Sequence, residues 1–98
     1  VKNDLLEVKR FIINASNLSF STGKALNVNF SENRIKVASP KIDIKLKKVT
    51  FAQSQKITFN RNGYPSTREI TYISNGNKLN LDLFEIILPV EFGYIYAP

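Results

Sequence analysis

The side chains able to do chemistry in this chain are its charged ones, and cations dominate. Fourteen Lys and Arg stand against eight Asp and Glu, a formal charge of +6. The excess is one-sided: residues 1–48 hold ten Lys and Arg against four acids, and residues 49–98 hold four of each. A local cationic excess favours an anionic partner such as nucleic acid, anionic lipid or an acidic protein face. Its blander role is to keep a small protein soluble. The candidate anion-binding or DNA-binding residues are Arg34 and Lys36 on one short strand, Lys45 and Lys47 on the outer side of the next, and Lys41 and Lys48 flanking them. Only Asp43 interrupts the set. Such lysines can follow a phosphate backbone by charge alone. No aromatic residue is interleaved with them, so base stacking has no support there. Lysine on an outer strand face also guards a sheet against edge-to-edge association.

Other chemistries lack their residues. With no His and no Cys, the commonest general base, the thiol nucleophile and the usual transition-metal ligands are missing. Asp43, Glu69, Asp82 and Glu85 are scattered and read as solvated strand-face charges, whereas carboxylate hydrolysis needs a converging pair. Gly23, Gly63, Gly76 and Gly93 sit at turn or stop positions and form no phosphate-cradling loop. The expectation is a non-enzymatic protein with no catalytic residues, metal or cofactor. Without disulfides, stability rests on packing, which suits a cytosolic, periplasmic or cell-surface site.

The elements that must position these residues are legible from hydrophobic period. Residues 3–22 lack Gly and Pro, and Leu5, Val8, Ile12, Ala15 and Ser19 recur at three and four, predicting a helix whose packing face they form. The small residues Ala15, Ser16 and Ser19 would let a sheet come close. Leu6, Ile13 and Phe20 make a second apolar row seven apart, so either the sheet wraps far around the helix or a partner covers that row. Gly23 ends the helix. From Lys24 the period becomes two. Leu26, Val28 and Phe30 alternate with Asn27 and Asn29; turns are expected at 31–33 and 39–41; Ile42, Ile44 and Leu46 alternate with Asp43, Lys45 and Lys47. Val49 and Phe51 break parity, predicting a bulge near Lys47 and Lys48. Ile57 and Phe59 mark a further strand, residues 60–66 a loop, and residues 69–74 another strand. Asn75-Gly76 is a type I′ hairpin signal. Leu79, Leu81 and Leu83 then alternate in a last long strand, FEIILP at 84–89 breaks that pattern, and residues 91–98 close the chain. Tyr64, Tyr72, Tyr94 and Tyr96 read as amphipathic rim residues. The whole is one domain, 1–98: helix over 1–23, antiparallel β region over 24–98, in the α+β class.

This pattern resembles the soluble domain of type IV pilin-like proteins, and more narrowly the GspH/FimT group of minor pseudopilins and minor pilins. The resemblance lies in LLEVKRFIINASNLSFSTGKALNVNF at 5–30, in ITFNRNGYPSTREITYI at 57–73 and in LDLFEIILPVEFGYIY at 81–96. Ala15-Ser16 stands where the family usually has Ala-Arg. The resemblance implies a pilin-like sandwich in which residues 1–23 are the C-terminal half of a longer helix, with a membrane-anchoring half before Val1. It further implies cleavage by a prepilin peptidase and assembly with other pilin or pseudopilin subunits. The filament would serve type II secretion, a type IV pilus or competence, with the soluble domain in the periplasm or at the cell surface. Some relatives bind DNA through Arg-containing signatures near the C-terminal Gly; the corresponding GYIYAP at 93–98 holds no basic residue. The alternative function is a nucleic-acid-binding module, or a DNA-uptake minor pilin, using the basic strand face.

Overall fold

The computed structural model describes residues 2–38 and 40–87. Helix α1 spans Lys2–Thr22. Six strands follow: β1 Leu26–Glu32, β2 Arg34–Val37, β3 Ile42–Lys45, β4 Thr50–Phe59, β5 Glu69–Ser74 and β6 Asn77–Asp82. They form one antiparallel sheet in the order β3-β2-β1-β4-β5-β6. The protein is therefore α+β, with α1 packed on one face of the sheet. A second sheet, as a sandwich would need, is not found among the described residues.

The buried face of α1 is made by Asp4, Val8, Phe11, Ile12, Ala15, Ser16 and Ser19, with Leu5 half-buried at its margin. Four of the five expected packing residues are thus buried, and the spacing of three and four aligns them along one stripe. Opposite them the sheet contributes alternate residues: Leu26, Val28 and Phe30 from β1, Ile35 and Val37 from β2, Phe51, Ile57 and Phe59 from β4, Ile70 and Tyr72 from β5. Phe30 is fully buried and joins helix to sheet, its ring edge-on to Phe11 at 6.2 Å and to Phe51 at 5.2 Å. Tyr72 lies in this core and is not the rim residue expected.

The turns joining β1 to β2 and β5 to β6 take the predicted places, while Ser39 of the turn expected at 39–41 lies outside the described residues. Ser31 pairs with Arg34, and Ser74 with Asn77. Asn75 and Gly76 both have positive φ, 53° and 80°, as a type I′ turn requires. The break in parity after β3 has a different cause from the one expected. No bulge lies at Lys47-Lys48: β3 ends at Lys45, the chain leaves the sheet, and the buried Leu46 and Val49 turn into the core. Asn33 holds the exit, its carbonyl accepting from the Leu46 amide (2.7 Å) and its Nδ2 donating to the Leu46 carbonyl (3.1 Å). The register shift falls instead between β1 and β4, where Phe30 opposes Gln55 but Glu32 opposes Phe51.

The last long strand is also shorter than expected. β6 stops at Asp82, and residues 83–87 are helical. Asp82 is the reason: its Oδ1 accepts from the Glu85 amide (3.1 Å), an N-cap contact, and its Oδ2 accepts from Arg68 Nε (3.1 Å). It is a capping residue and not a free strand-face charge. Leu79 is 45% exposed while Leu83 is fully buried, so the leucine alternation does not mark one buried strand face. Tyr94, Tyr96 and Gly93 lie outside the described residues.

Candidate functional site

Helix and sheet are joined at both ends of α1 by polar side chains. At its start, the buried Asp4 carboxylate accepts from three successive backbone amides in the turn after β3. These are Lys47 (3.1 Å to Oδ2), Lys48 (2.6 Å) and Val49 (2.9 Å). Burial pushes the Asp4 carboxyl up, but the amides of Lys48, Val49 and Lys47 outweigh it and hold the group below its ordinary value. At the other end, Ser16 Oγ donates to the Gly63 carbonyl at 2.7 Å. Ser19 Oγ faces the carbonyls of Lys24 (2.9 Å), Phe59 (3.1 Å) and Asn60, with one proton to donate among them. Asn60 folds the loop that makes this contact: its Oδ1 accepts from the amides of Asn62 (2.9 Å) and Tyr64 (3.0 Å). Gly63 has φ +89°, and a Cβ there would stand 2.9 Å from Ser16 Oγ. The small residues late in α1 therefore admit a loop as well as strands.

The rest of α1 leaves two surfaces. Leu6 (52% exposed) and Phe20 (68%) face solvent with the half-buried Ile13 between them, so the sheet does not cover that apolar row. A cleft of about 600 Å³ runs between α1 and β3, lined by Leu6, Phe11, Leu18, Ile42 and Ile44 with Arg10 at its rim.

The opposite face of the sheet carries the cations. β2 and β3 pair antiparallel as expected, with Arg34 opposite Lys45 and Lys36 opposite Asp43. Arg34 Nη1 reaches Asp43 Oδ2 at 3.1 Å, an exposed pair that occupies the one interrupting acid. Lys47 and Lys48 leave the sheet with the turn that Asp4 holds, so Lys45 and Lys47 do not share a strand face. A depression of about 810 Å³ lies on this outer face, and its cations are Lys36, Lys41 and Lys56. Arg34, Lys45, Lys47 and Lys48 are outside it. Lys56 escaped the sequence reading because β4 joins β1 from far along the chain; Asn29 is opposite Lys36 on one side and Lys56 on the other. The polar alternation of Asn27 and Asn29 with Leu26 and Val28 was the signal available in the sequence. Thr58 Oγ1 donates to Asn27 Oδ1 (2.8 Å) and Ser54 Oγ to Asn29 Oδ1 (3.0 Å), which leaves both Nδ2 groups without a partner among the described residues.

Among the described residues, no three of His, Cys, Asp and Glu converge as metal ligands, and no helix is long and apolar enough to cross a membrane. In comparisons with protein-family models, curated proteins and solved structures, the chain has no significant match.

Proposed function

We propose that this chain is the globular part of a non-enzymatic pilin-like subunit, a minor pseudopilin or minor pilin of a type II secretion, type IV pilus or competence filament. One observation carries the reading. α1 packs on a single sheet by one stripe and keeps an apolar row, Leu6, Ile13 and Phe20, on its outer side. A helix that is finished by its own sheet is polar on the far side. This one has large apolar side chains there, which suits a helix that packs against other helices in an assembly. The helix-on-antiparallel-sheet architecture is compatible with a pilin-like domain. In this reading the partners are other pilin or pseudopilin subunits, and the membrane is reached through helix preceding Val1. The globular part works outside the cytoplasmic membrane.

The test is the coding sequence upstream of Val1, together with the protein's fate in its own cells. The reading expects an apolar stretch of about 20 residues, long enough to span a bilayer. It also expects an unprocessed, heavier precursor when prepilin peptidase is removed. An upstream region without such a stretch, or a mass that is independent of the peptidase, would overturn it.

A further inference from the structure

The outer sheet face has its own chemistry, independent of how α1 is used. Its depression brings three lysines from three different parts of the chain around Asn27, Asn29 and Thr58: Lys36 from β2, Lys41 from the turn before β3, and Lys56 from β4. All three are exposed. Asn29 separates Lys36 from Lys56 in register, so one strand lies between the two cations. Among the described residues the one acid lining the depression, Asp43, is ion-paired to Arg34. The lining offers donors as well as charge: the Asn27 and Asn29 oxygens accept from Thr58 and Ser54, and among the described residues their Nδ2 groups have no partner. Ammonium groups around neutral N–H donors match the oxygens of phosphodiesters.

The face also lacks what other anionic partners need. Among the described residues its apolar lining is Ala38, which is exposed but small, the half-buried Ile42 and the buried Val28, Val37 and Ile57, so no large exposed apolar or aromatic side chain stands among these lysines to enter a lipid surface or anchor a protein partner. Of the large exposed hydrophobics among the described residues, Leu6 and Phe20 are on α1, Tyr64 is in the loop after β4 and Leu79 is on β6, and none lines the depression. With no aromatic on the face, unstacked bases have no platform, which favours a duplex over a single strand.

We propose that this depression binds the phosphodiester backbone of duplex nucleic acid through Lys36, Lys41 and Lys56, with Asn27 and Asn29 as neutral donors. The binding is independent of base sequence. Fluorescence anisotropy of a labelled duplex DNA of mixed sequence tests it. Three lysine contacts predict a slope of about −2.7 in log K against log salt, or about 40-fold weaker binding on going from about 50 to about 200 mM salt. The triple variant K36Q/K41Q/K56Q should lose binding and the salt slope together. K47Q/K48Q, which removes charge from the turn beyond the face, should bind like the parent. N27A/N29A should weaken binding several-fold and leave the slope unchanged, because it removes donors and not charge. Each variant is checked by thermal melting, and the single lysine changes, each expected to flatten the slope by about 0.9, stand in if the triple change lowers stability. The proposal is overturned by no binding to the duplex or by equal loss in K47Q/K48Q. It is equally overturned by tighter binding to a single strand of the same length, or by capture on phosphatidylglycerol vesicles or heparin without capture of DNA.

Discussion

Asp4 shows how much one buried carboxylate can organise. Its three amide partners are consecutive, so the turn that leaves β3 is shaped around an anion supplied by the helix. Asp4→Asn keeps the size but removes the charged acceptor, and the loss should be about 1.5–3 kcal/mol of stability, read by denaturant melts. The pH dependence follows from the depressed carboxyl. The unfolded chain takes up the proton near 3.8 and the folded chain only at lower pH, so folding is favoured while the group is ionised. That stabilisation is complete above about pH 5 and is lost as pH falls through the unfolded value toward the folded one. Wild type should therefore lose more melting temperature than Asp4→Asn between those limits; parallel losses would place the acid sensitivity elsewhere. At the far end of α1, Gly63→Ala would put a methyl group 2.9 Å from Ser16 Oγ and 3.0 Å from the Ser16 carbonyl, at a φ of +89°. A destabilisation of about 1–3 kcal/mol is expected. Ala15, 3% exposed against the sheet, should cost a similar amount when enlarged to Leu, about 1–3 kcal/mol by overpacking. An unchanged melt for Ala15→Leu would mean that helix and sheet are not close there.

Between elements, the weakest seam is β4 with β5, which share only the pairs Thr50–Ile73 and Phe51–Tyr72. Gln55 continues the ladder with its side chain: Nε2 donates to the Thr71 carbonyl (2.9 Å) and Oε1 accepts from the Thr71 amide (3.0 Å). Gln55→Ala should speed hydrogen exchange at Thr71 and along β5–β6 while leaving β1–β2 amides protected. Uniform acceleration across the sheet would show that the seam has no independence. The elements were legible wherever a local rule acts. The helix face follows the three-and-four spacing, and the Asn75-Gly76 turn follows from backbone sterics. What was not legible depended on contacts distant in sequence. The parity break after β3 looked like a bulge because nothing in residues 42–51 announces that Asp4 will hold Lys47, Lys48 and Val49. Leu83 looked like a continuation of the strand that holds Leu79 and Leu81 because the cap that Asp82 forms, and its ion pair with Arg68, are visible only in three dimensions.

Over the whole molecule, the two candidate surfaces lie on opposite sides of the sheet: an apolar helix row on one, lysines on the other. The basic face was partly legible, since Arg34, Lys36, Lys41 and Lys45 are local to one hairpin. Its centre was not, because Lys56 arrives through the β1–β4 pairing. Opposed surfaces allow assembly through the helix while the cationic face stays in solvent. Phe20→Ser, at a 68% exposed position, should leave stability, read by denaturant melts, within about 0.5 kcal/mol of the parent. In the same variant, recovery in sheared or pelleted filament fractions should fall sharply. The central claim is that α1 is the assembly element, and the absence of cysteine makes it directly measurable. Single cysteines placed at Leu6, Ile13 and Phe20, and at Lys36 as the outer-face control, would be oxidised in the cells that produce the protein. The account predicts disulfide-linked dimers or adducts with other filament subunits from the helix-row positions and none from Lys36→Cys. Adducts confined to Lys36→Cys, or none from the helix row in cells that assemble the protein, would contradict it.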